Sequence, residues 1–270
     1  MGKTWLITGA GRGFGKEFTQ AALSRGDRVA ATARNVKALS DLVDEYGDAI
    51  LPLALDVTDR EAVFAAVAAA RETFGGLDVV VNNAGYGMFG AIEEVSPEQL
   101  RQQLEVNVFG PFHVTQAVLP ILREQGSGHI IQISSIGGVA AFPLLGSYHA
   151  SKWALEGFSE SLAQEVARFG IKVTLVEPAA YGTDWGGSSA VWPEGLPQYQ
   201  PIRDARAAAS RPSNDPVHVG AAILALVDMD QPPLRVFFGT GPIEAAEKLY
   251  QSRLQTWRDG QVLAALAEGR

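Results

Sequence analysis

Short apolar runs rich in β-branched residues alternate with longer helical segments along this chain, and this alternation restricts its fold more than any other feature. In the helical segments the apolar positions fall three and four residues apart, as in Leu155, Phe158, Leu162 and Val166. The strand-like runs are Trp5–Thr8, Arg28–Ala33, Ile50–Leu55, Leu77–Val81, His129–Ser134, Lys172–Glu177 and Leu234–Phe238. The helical segments include Phe14–Arg25, Arg60–Phe74, Pro97–Arg123 and Tyr148–Phe169.

Alternating strands and helices form βαβ units, whose crossovers are right-handed. The strand-like runs are apolar throughout, as expected for parallel strands that helices cover on both faces. We therefore predict a single-domain α/β protein with a doubly wound, seven-stranded parallel sheet flanked by helices. Ligands in such folds bind beyond the carboxyl ends of the strands, so the loops there should carry the functional residues.

Two later segments depart from this pattern. The stretch Thr183–Pro216 is rich in glycine and proline and predicts a mobile loop over the substrate site. This loop belongs to a predicted domain that spans residues 1–241. Residues 242–270 predict a helical extension packed on the same domain. Its broken apolar stripe should be buried against the body of the protein or a partner subunit, and consists of Leu249, Leu254, Trp257, Val262, Leu263 and Leu266.

Composition excludes several classes of site. The formal net charge of −8 argues against a nucleic-acid or anionic-membrane surface. The absence of cysteine excludes disulfides and thiolate chemistry. No apolar stretch approaches the roughly 20 residues of a membrane span, and the chain begins without a signal-like segment, so we expect a cytoplasmic protein. The four histidines lack metal-ligand spacing, and we expect no metal.

A glycine-rich segment follows the first predicted strand and precedes the first helix. It reads Thr8-Gly9-Ala10-Gly11-Arg12-Gly13-Phe14-Gly15. The spacing is T-G-x-x-x-G-x-G rather than G-x-G-x-x-G, because Phe14 stands where the last glycine would be. Backbone N–H groups and the positive helix end attract anions in such a turn. We predict a pyrophosphate site here, with a tight turn that binds no ligand as the alternative.

The end of the second predicted strand indicates which nicotinamide cofactor is bound. In NAD-specific folds a carboxylate about 20 residues after the glycine turn binds the ribose 2′-hydroxyl. Here the strand ends in Ala33-Arg34, and the next acid is Asp41. Arg34 and Arg12 can instead present planar guanidinium donors to a 2′-phosphate. The sequence favours NADP(H) over NAD(H), unless both arginines are merely solvated surface residues.

Tyr148 and Lys152 are four residues apart in a helical segment, so both project from one face. A nearby ammonium favours the phenolate and lowers the pKa of tyrosine from about 10 toward the range useful in acid–base catalysis. His149 points around the helix and is expected at the surface or in a subunit contact, whereas Trp153 and Phe158 are expected to pack in the core.

Further polar residues follow the neighbouring strands: Asn82-Asn83-Ala84-Gly85 after the fourth strand, Ser134 and Ser135 after the fifth, and Asn107 in the long fourth helix. With these motifs and Asp56-Val57 in this order, the chain resembles the short-chain dehydrogenase/reductase family over residues 3 to 240. The resemblance implies a Rossmann-like fold and an NADP(H)-dependent oxidoreductase that interconverts a ketone and a secondary alcohol. It also implies a homodimer or homotetramer paired through the fourth and fifth helices.

The resemblance assigns roles to four residues. Tyr148 would be the general acid of carbonyl reduction, and Lys152 would hold the nicotinamide ribose. Ser135 would hydrogen-bond the substrate oxygen, and Asn107 would hold a water that links Lys152 to solvent. The implied cofactor contacts are Gly9, Arg12, Gly13, Phe14, Gly15, Arg34, Asp56, Val57, Asn83, Ala84, Gly85, Tyr148, Lys152, Pro178 and Thr183.

Within that set, Asp56 and Val57 would contact the adenine, Asn83–Gly85 the adenosine ribose, and Thr183 the carboxamide. One departure concerns the sixth strand, which ends in Pro178-Ala179 where the family usually has Pro-Gly. The geometry of the nicotinamide loop is therefore left open. Apolar loop residues predict an apolar substrate pocket, with ordinary loop packing as the alternative for about half of them; they are Met88, Phe89, Phe142, Leu144, Leu145, Trp185 and Trp192.

Two other functions compete with the reductase. The first is an NADP(H)-sensing binding protein without catalysis, which would have no chemical need for all four of the residues named above. The second is lyase chemistry, either halohydrin dehalogenation or sugar-nucleotide dehydration. Lys152 and the glycine turn disfavour dehalogenation, and the lack of a larger carboxyl-terminal sugar domain disfavours dehydration.

Overall fold

The structure is a computed structural model that describes residues 2–187, 189–209 and 213–270. Its centre is a parallel sheet in the order β3-β2-β1-β4-β5-β6-β7. The strands are β1 (Thr4–Ile7), β2 (Arg28–Ala33), β3 (Ile50–Ala54), β4 (Val79–Asn82), β5 (Gly128–Ile133), β6 (Ile171–Pro178) and β7 (Arg235–Phe238). The predicted seven-stranded, doubly wound sheet is confirmed.

Helices cover both faces of this sheet. They are α1 (Gly13–Ser24), α2 (Ser40–Tyr46), α3 (Arg60–Phe74), α4 (Pro97–Leu104), α5 (Gly110–Gln125), α6 (Gly146–Val166), α7 (Gln200–Ala208), α8 (Val219–Val227), α9 (Pro242–Asp259) and α10 (Gln261–Ala267). Side chains of β1 alternate between the two layers. Trp5 and Ile7 join the core on the side of α1 and α8, and Leu6 joins the core on the side of α3 and α5. All three are buried, which explains the continuous apolar run.

The chain reverses its direction across the sheet between β1 and β4. From β1 it builds outward to β3, and it then returns to the other side of β1 at β4. Loops that leave β1 and β4 therefore diverge, and a crevice opens between them at the carboxyl edge of the sheet. The glycine turn and the Asn83–Gly85 segment both lie at this crevice.

The helix expected over Pro97–Arg123 is helical throughout, but a π-helical turn divides it. The structure has α4, a π-helical turn over Glu105–Phe109, and then α5. Pro111 is the physical reason, because it has no N–H to donate to the carbonyl four residues earlier. The interruption places the buried Asn107 in the π-helical turn, the kind of irregularity that is frequent at functional sites.

The segment Thr183–Pro216, predicted as a mobile loop over the substrate site, has more regular structure than its glycine and proline content indicates. It contains α7 and short 3₁₀ turns at Asp184–Gly186, Pro197–Tyr199 and Pro216–His218. Arg203 of α7 pairs with the buried Glu94, and Tyr199 donates to Glu93 over 2.7 Å. These contacts anchor α7 to the segment after β4. Residues 188 and 210–212 of the predicted loop, including Pro212, lie outside the described residues.

The carboxyl-terminal extension is helical as predicted, but its apolar stripe is not buried by the rest of the chain. Leu249 is half-buried, whereas Leu254, Trp257, Val262, Leu263 and Leu266 are exposed. One contact with the body is Arg253, whose guanidinium lies 4.7 Å from the centroid of the Trp153 ring. Trp153 is therefore a half-exposed residue that contacts α9, and the expectation that it packs in the core is wrong. Phe158 is partly buried and packs against the core, as expected.

Candidate active site

The glycine turn has the backbone geometry that an anion site needs. Gly9 and Gly13 have φ of +67° and +52°, a region that side chains disfavour. A Cβ on Gly15 would lie 2.2 Å from the carbonyl oxygen of Gly9. Helix α1 begins at Gly13 without a side-chain cap at Arg12 and without an acidic residue in its first turn. Its first N–H groups thus lack side-chain partners and can receive phosphate oxygens.

Thr8 and Asn83 fix this turn to the loop after β4. The side-chain amide of Asn83 donates to the carbonyls of Thr8 and Gly9 over 3.0 and 3.1 Å. In return, the backbone N–H groups of Asn83 and Ala84 donate to the Thr8 hydroxyl over 3.0 and 3.1 Å. Asn83 also lines the cavity, but its amide holds protein backbone. The sequence analysis did not predict that Thr8 binds the loop after β4. The position of Thr8 at the start of the glycine motif could have indicated this role.

One cavity of about 980 Å³ connects the glycine turn with Tyr148. Every predicted cofactor residue except Gly15 lines it, and Gly15 is buried beneath the turn. Other lining residues were not predicted, among them Asn35, Ala38, Tyr86, Ile133, Tyr181, Ser189 and Val191. Residues from the loops after β1, β2, β3, β4, β5 and β6 line the cavity, so it follows the carboxyl edge of the sheet.

The far end of the cavity, beside β2, is positively charged. Arg12 and Arg34 are exposed and line the cavity. Among the described parts of the chain, neither guanidinium forms a salt bridge with a carboxylate. Asp56 lines the same end, where its carboxylate accepts from the backbone and hydroxyl of Thr58 over 3.0 and 2.8 Å. Both arginines are therefore available to an anion.

Tyr148 and Lys152 lie on the buried face of α6, as the four-residue spacing predicts. The Lys152 ammonium donates to the carbonyl of Ile133 at the end of β5 over 2.8 Å and lies 5.8 Å from the centroid of the Tyr148 ring. Ser135 lies close enough to Tyr148 to lower the pKa of its phenol. The Ser135 hydroxyl accepts the backbone N–H of Gly137 over 2.9 Å. The structure therefore brings the three residues together at one end of the cavity.

Asn107 reaches the same place from the π-helical turn. Its amide donates to the Tyr86 carbonyl and the Ser151 hydroxyl, each over 3.0 Å, and its oxygen accepts the Tyr86 N–H over 3.1 Å. The Asn107 oxygen and the Lys152 ammonium both lie within 4 Å of the position that a Cβ on Gly85 would occupy. Asn107 thus joins the loop after β4 to α6 beside Lys152.

Burial dominates the electrostatics of the pair. It raises the pKa of the Tyr148 phenol, and the hydrogen bond from Ser135 opposes this only in part. Burial likewise lowers the pKa of Lys152 to about 8, against the attraction of the Glu156 carboxylate. Desolvation is therefore the largest influence on the pKa of Tyr148, and it acts against the lowering that the spacing of Tyr148 and Lys152 predicts.

Of the seven residues predicted to wall a substrate pocket, Trp185 lines the cavity and the other six do not. Trp185 lines the cavity and meets the Tyr148 ring edge-on, with the centroids 4.9 Å apart. Met88, Phe89 and Leu145 are buried behind that wall. Phe142 and Trp192 are exposed, and Trp192 stacks on Phe89 at 4.4 Å. Leu144, with a φ of +66°, is strained in the turn that leads into α6. Val191 and Tyr86, which were not predicted, also line the cavity.

The Ala179 departure is accommodated without strain. Among the described residues Leu144 is the only non-glycine with a positive φ, so Ala179 takes a backbone conformation open to any residue. Its N–H donates to the Phe238 carbonyl over 2.9 Å. Pro178 and Thr183 both line the cavity, as predicted.

His149 is not at the surface. Only 5% of it is exposed, because its imidazole binds two backbone groups of the loop after β5, at Gly137 and Phe142. Sequence periodicity assigned it to the outer face of α6, but this loop folds back over that face and covers the side chain.

Among the described residues, no helix is both long enough and apolar enough to cross a membrane. Within the same part of the chain, no three histidine, aspartate or glutamate side chains cluster in a way that could hold a metal ion.

Comparison with curated proteins places the chain among oxidoreductases. It is 43% identical to oxidoreductase BOA17 of Botryotinia fuckeliana over 98% of this chain and 100% of the relative. It is 37% identical to the 3-ketodihydrosphingosine reductase of Bacteroides thetaiotaomicron over 87% of each chain.

Solved structures agree. A short-chain dehydrogenase from Streptomyces avermitilis is 39% identical, with a TM-score of 0.92 over 98% of both chains. A short-chain dehydrogenase from Burkholderia cenocepacia J2315 in complex with NADP is 28% identical, with a TM-score of 0.77 over 94% of this chain and 95% of the other. Residues 3–193 match the short chain dehydrogenase family model. The chain therefore belongs to the short-chain dehydrogenase family of oxidoreductases.

Proposed function

We propose that this protein is an NADP(H)-dependent oxidoreductase that interconverts a ketone and a secondary alcohol, with Tyr148 as the general acid and base. The observation that carries the proposal is one continuous cavity lined both by the glycine turn and by Tyr148, Ser135 and Lys152. A nicotinamide cofactor bound along it would supply or accept the hydride.

The glycine turn fits the pyrophosphate of such a cofactor. Gly13 and the first turn of α1 present backbone N–H groups, and a Cβ on Gly11 would lie 2.9 Å from the Cβ of Ala38. Arg12 and Arg34 fit a 2′-phosphate, because each can offer charge-assisted donors and neither is occupied by a described carboxylate. NADP(H) is accordingly the preferred cofactor, and the NADP-bound relative supports this choice.

Tyr148 would give its hydroxyl proton to the substrate oxygen during reduction and take it back during oxidation. Ser135, which lines the cavity together with Tyr148, would donate to the same substrate oxygen and stabilise the charge that develops on it. Lys152 would hold the cofactor ribose, and Asn107 would position a water beside Lys152, so that the proton lost by Tyr148 is replaced from solvent.

The substrate would be an uncharged and predominantly apolar ketone. Charged side chains lining the cavity are Arg12, Arg34, Asp56 and Lys152, all on the cofactor side or in the catalytic pair. The part beyond Tyr148 is walled by Trp185, Val191 and Tyr86. The similar Bacteroides protein is a reductase of a ketone, which supports the reaction class.

The proposed organisation is one domain over residues 1–241 with residues 242–270 as its helical extension, assembled as a homodimer or homotetramer. Two aromatic side chains are exposed in the π-helical turn and α5, Phe109 and Phe112, and they support pairing through that surface. A catalytically silent NADP(H)-sensing protein is the alternative function.

The test is a fluorescence titration with NADPH and NADH, together with NADPH oxidation in the presence of medium-chain aliphatic ketones. We expect tighter binding of NADPH, turnover by the wild type, and a loss of roughly 10²- to 10⁴-fold in kcat for Tyr148→Phe. Tyr250→Phe, on the exposed face of α9, is the matched control and should retain activity. Binding without turnover of any ketone would favour the sensor, and equal affinity for both cofactors would refute the roles of Arg12 and Arg34.

A further inference from the structure

His149 holds both ends of the loop that follows Ser135. One ring nitrogen, Nδ1, lies 2.9 Å from the carbonyl oxygen of Gly137. The other, Nε2, accepts the backbone N–H of Phe142 over 2.9 Å. Because one buried side chain bonds positions 137 and 142, it closes the loop between them into a fixed shape.

These two partners determine the protonation state of the ring. The N–H of Phe142 is a donor, so Nε2 must be unprotonated, and the Gly137 carbonyl is an acceptor, so Nδ1 must carry the hydrogen. Burial lowers the pKa of His149, and the positive charge of Arg206 lowers it further. Arg206 reaches this region from α7 and donates to the Pro143 carbonyl over 3.3 Å. The other groups facing the imidazole are the rings of Tyr148 and Phe142, at 6.0 and 5.6 Å between centroids.

The loop that His149 holds also carries the partners of Ser135. The N–H of Gly137 donates to the Ser135 hydroxyl over 2.9 Å, and Ser135 lies close enough to Tyr148 to lower the pKa of its phenol. Gly137 packs tightly against the helix, since a Cβ at this position would lie 2.8 Å from Nδ1 of His149 and 3.1 Å from Cε1 of Tyr148. Two hydrogen bonds therefore link His149 to Gly137 and Gly137 to Ser135, which lies beside Tyr148.

We propose that His149 is a positioning residue that locks the loop over residues 137–142 and thereby holds Ser135 in place against Tyr148. This role rests on the proposed ketone reduction. It requires the neutral imidazole with hydrogen on Nδ1, because the protonated ring would oppose the Phe142 N–H with a second donor. Protonation therefore releases the Phe142 end of the loop.

Two substitutions separate the two bonds. The amide of His149→Asn reaches the position of Nδ1 and can keep the bond to Gly137, whereas the amide of His149→Gln reaches the position of Nε2 and can keep the bond to Phe142. His129→Asn is the matched control. His129 is also buried, and it bonds to Thr174 over 2.9 Å at the opposite end of β5, away from the cavity.

We expect both His149 variants to lose roughly ten- to a hundredfold in kcat for ketone reduction, because a small displacement of a catalytic group carries a large rate penalty. Their dissociation constants for NADPH should change less than twofold, since His149 does not line the cavity. The wild type should also lose kcat as the pH falls through the pKa of His149, and both variants should lack this acidic step. Amide exchange of the peptide spanning residues 136–147 should be faster in both variants and unchanged in His129→Asn.

Wild-type kcat, wild-type pH dependence and unchanged exchange in His149→Asn and His149→Gln would overturn the proposal. If neither variant folds, NMR of ¹⁵N-histidine-labelled wild type decides. A buried imidazole that remains neutral with hydrogen on Nδ1 supports the proposal, and hydrogen on Nε2 overturns it; His129→Asn assigns the other buried resonance. Absence of wild-type turnover of every ketone would reject the proposed function, whereas turnover unaffected in both variants rejects the role of His149 alone.

Discussion

Arg235 on β7 should contribute strongly to stability, because it neutralises carboxylates that are buried behind the active site. Its guanidinium lies 3.0 Å from Glu156, 3.6 Å from Glu177 and 2.8 Å from Glu160. The side chains of Glu156 and Glu177 are only 8% and 3% exposed, while that of Glu160 is 53% exposed. The substitution Arg235→Met keeps most of the apolar stem and removes the charge.

The expected loss follows from the burial of each partner. Removing one member of a buried ion pair costs about 3–5 kcal/mol, since the remaining charge is left in a poorly solvated site. The exposed pair with Glu160 adds at most about 1 kcal/mol. We therefore expect Arg235→Met to lower the free energy of unfolding by about 3–5 kcal/mol at pH 8.

The loss should depend on pH in a definite direction. Burial, reinforced by the Glu156 carboxylate, raises the pKa of Glu177 to about 7, and Arg235 opposes this rise. Without Arg235 the pKa in the folded protein is higher still, so the folded variant binds a proton that the unfolded chain has lost. Stability that depends on this proton is present below the unfolded pKa and is lost as the pH rises through the folded pKa. The deficit of the variant should therefore be smaller at pH 6 than at pH 8.

Urea unfolding at both pH values measures the effect. Glu160→Gln is the control, because it removes only the exposed partner and should cost no more than about 1 kcal/mol. The double variant Arg235→Met with Glu177→Gln should recover part of the loss at pH 8. A deficit for Arg235→Met below about 1 kcal/mol at pH 8, the size expected of a surface pair, would refute this reasoning.

Two further predictions concern the cavity. Arg34→Leu should weaken NADPH binding by roughly 10- to 100-fold and NADH binding by less than twofold, because a hydrogen bond to a charged group contributes about 1.5–3 kcal/mol. Titration of both cofactors checks this, with Arg168→Leu, at an exposed arginine just before β6, as the control. Equal losses for both cofactors would contradict it. Glu156→Gln should lower the pKa of Lys152 below about 8, since the Glu156 carboxylate raises it. The alkaline limb of kcat/KM should then move to lower pH, while the limb of Glu160→Gln stays in place; an unmoved limb in both variants would exclude the charge of Glu156 as the cause.

The sheet and the glycine turn could be predicted because their physical requirements are local. A parallel strand covered on both faces must be apolar throughout, and every predicted strand overlaps one in the structure. Gly9 and Gly13 are needed for their own backbone angles. Tyr148 and Lys152 share one helix, so their spacing alone places them on one face.

Features that depend on distant segments were harder to predict. Periodicity assigned His149 to an outer face, but a loop that follows β5 covers it. Of the apolar residues predicted for the substrate pocket, Met88, Phe89 and Leu145 are buried and do not line the cavity. Phe89 and Leu145 pack in one cluster with Tyr148. Chain position fixes which edge of the sheet a loop reaches, whereas the direction of its side chains depends on the neighbouring loops.

The charge states of Tyr148 and Lys152 also depend on residues outside the local sequence motif. The Y-x-x-x-K spacing suggests two groups that tune each other, but burial disfavours both the phenolate of Tyr148 and the ammonium of Lys152. The protein groups that oppose burial lie outside the motif: Ser135 lowers the pKa of Tyr148, and the Glu156 carboxylate raises the pKa of Lys152. Glu156 is in turn held by Arg235 from β7. The charge state of the pair therefore depends on side chains from the loop after β5, from α6 and from β7, so the two-residue motif alone does not determine it.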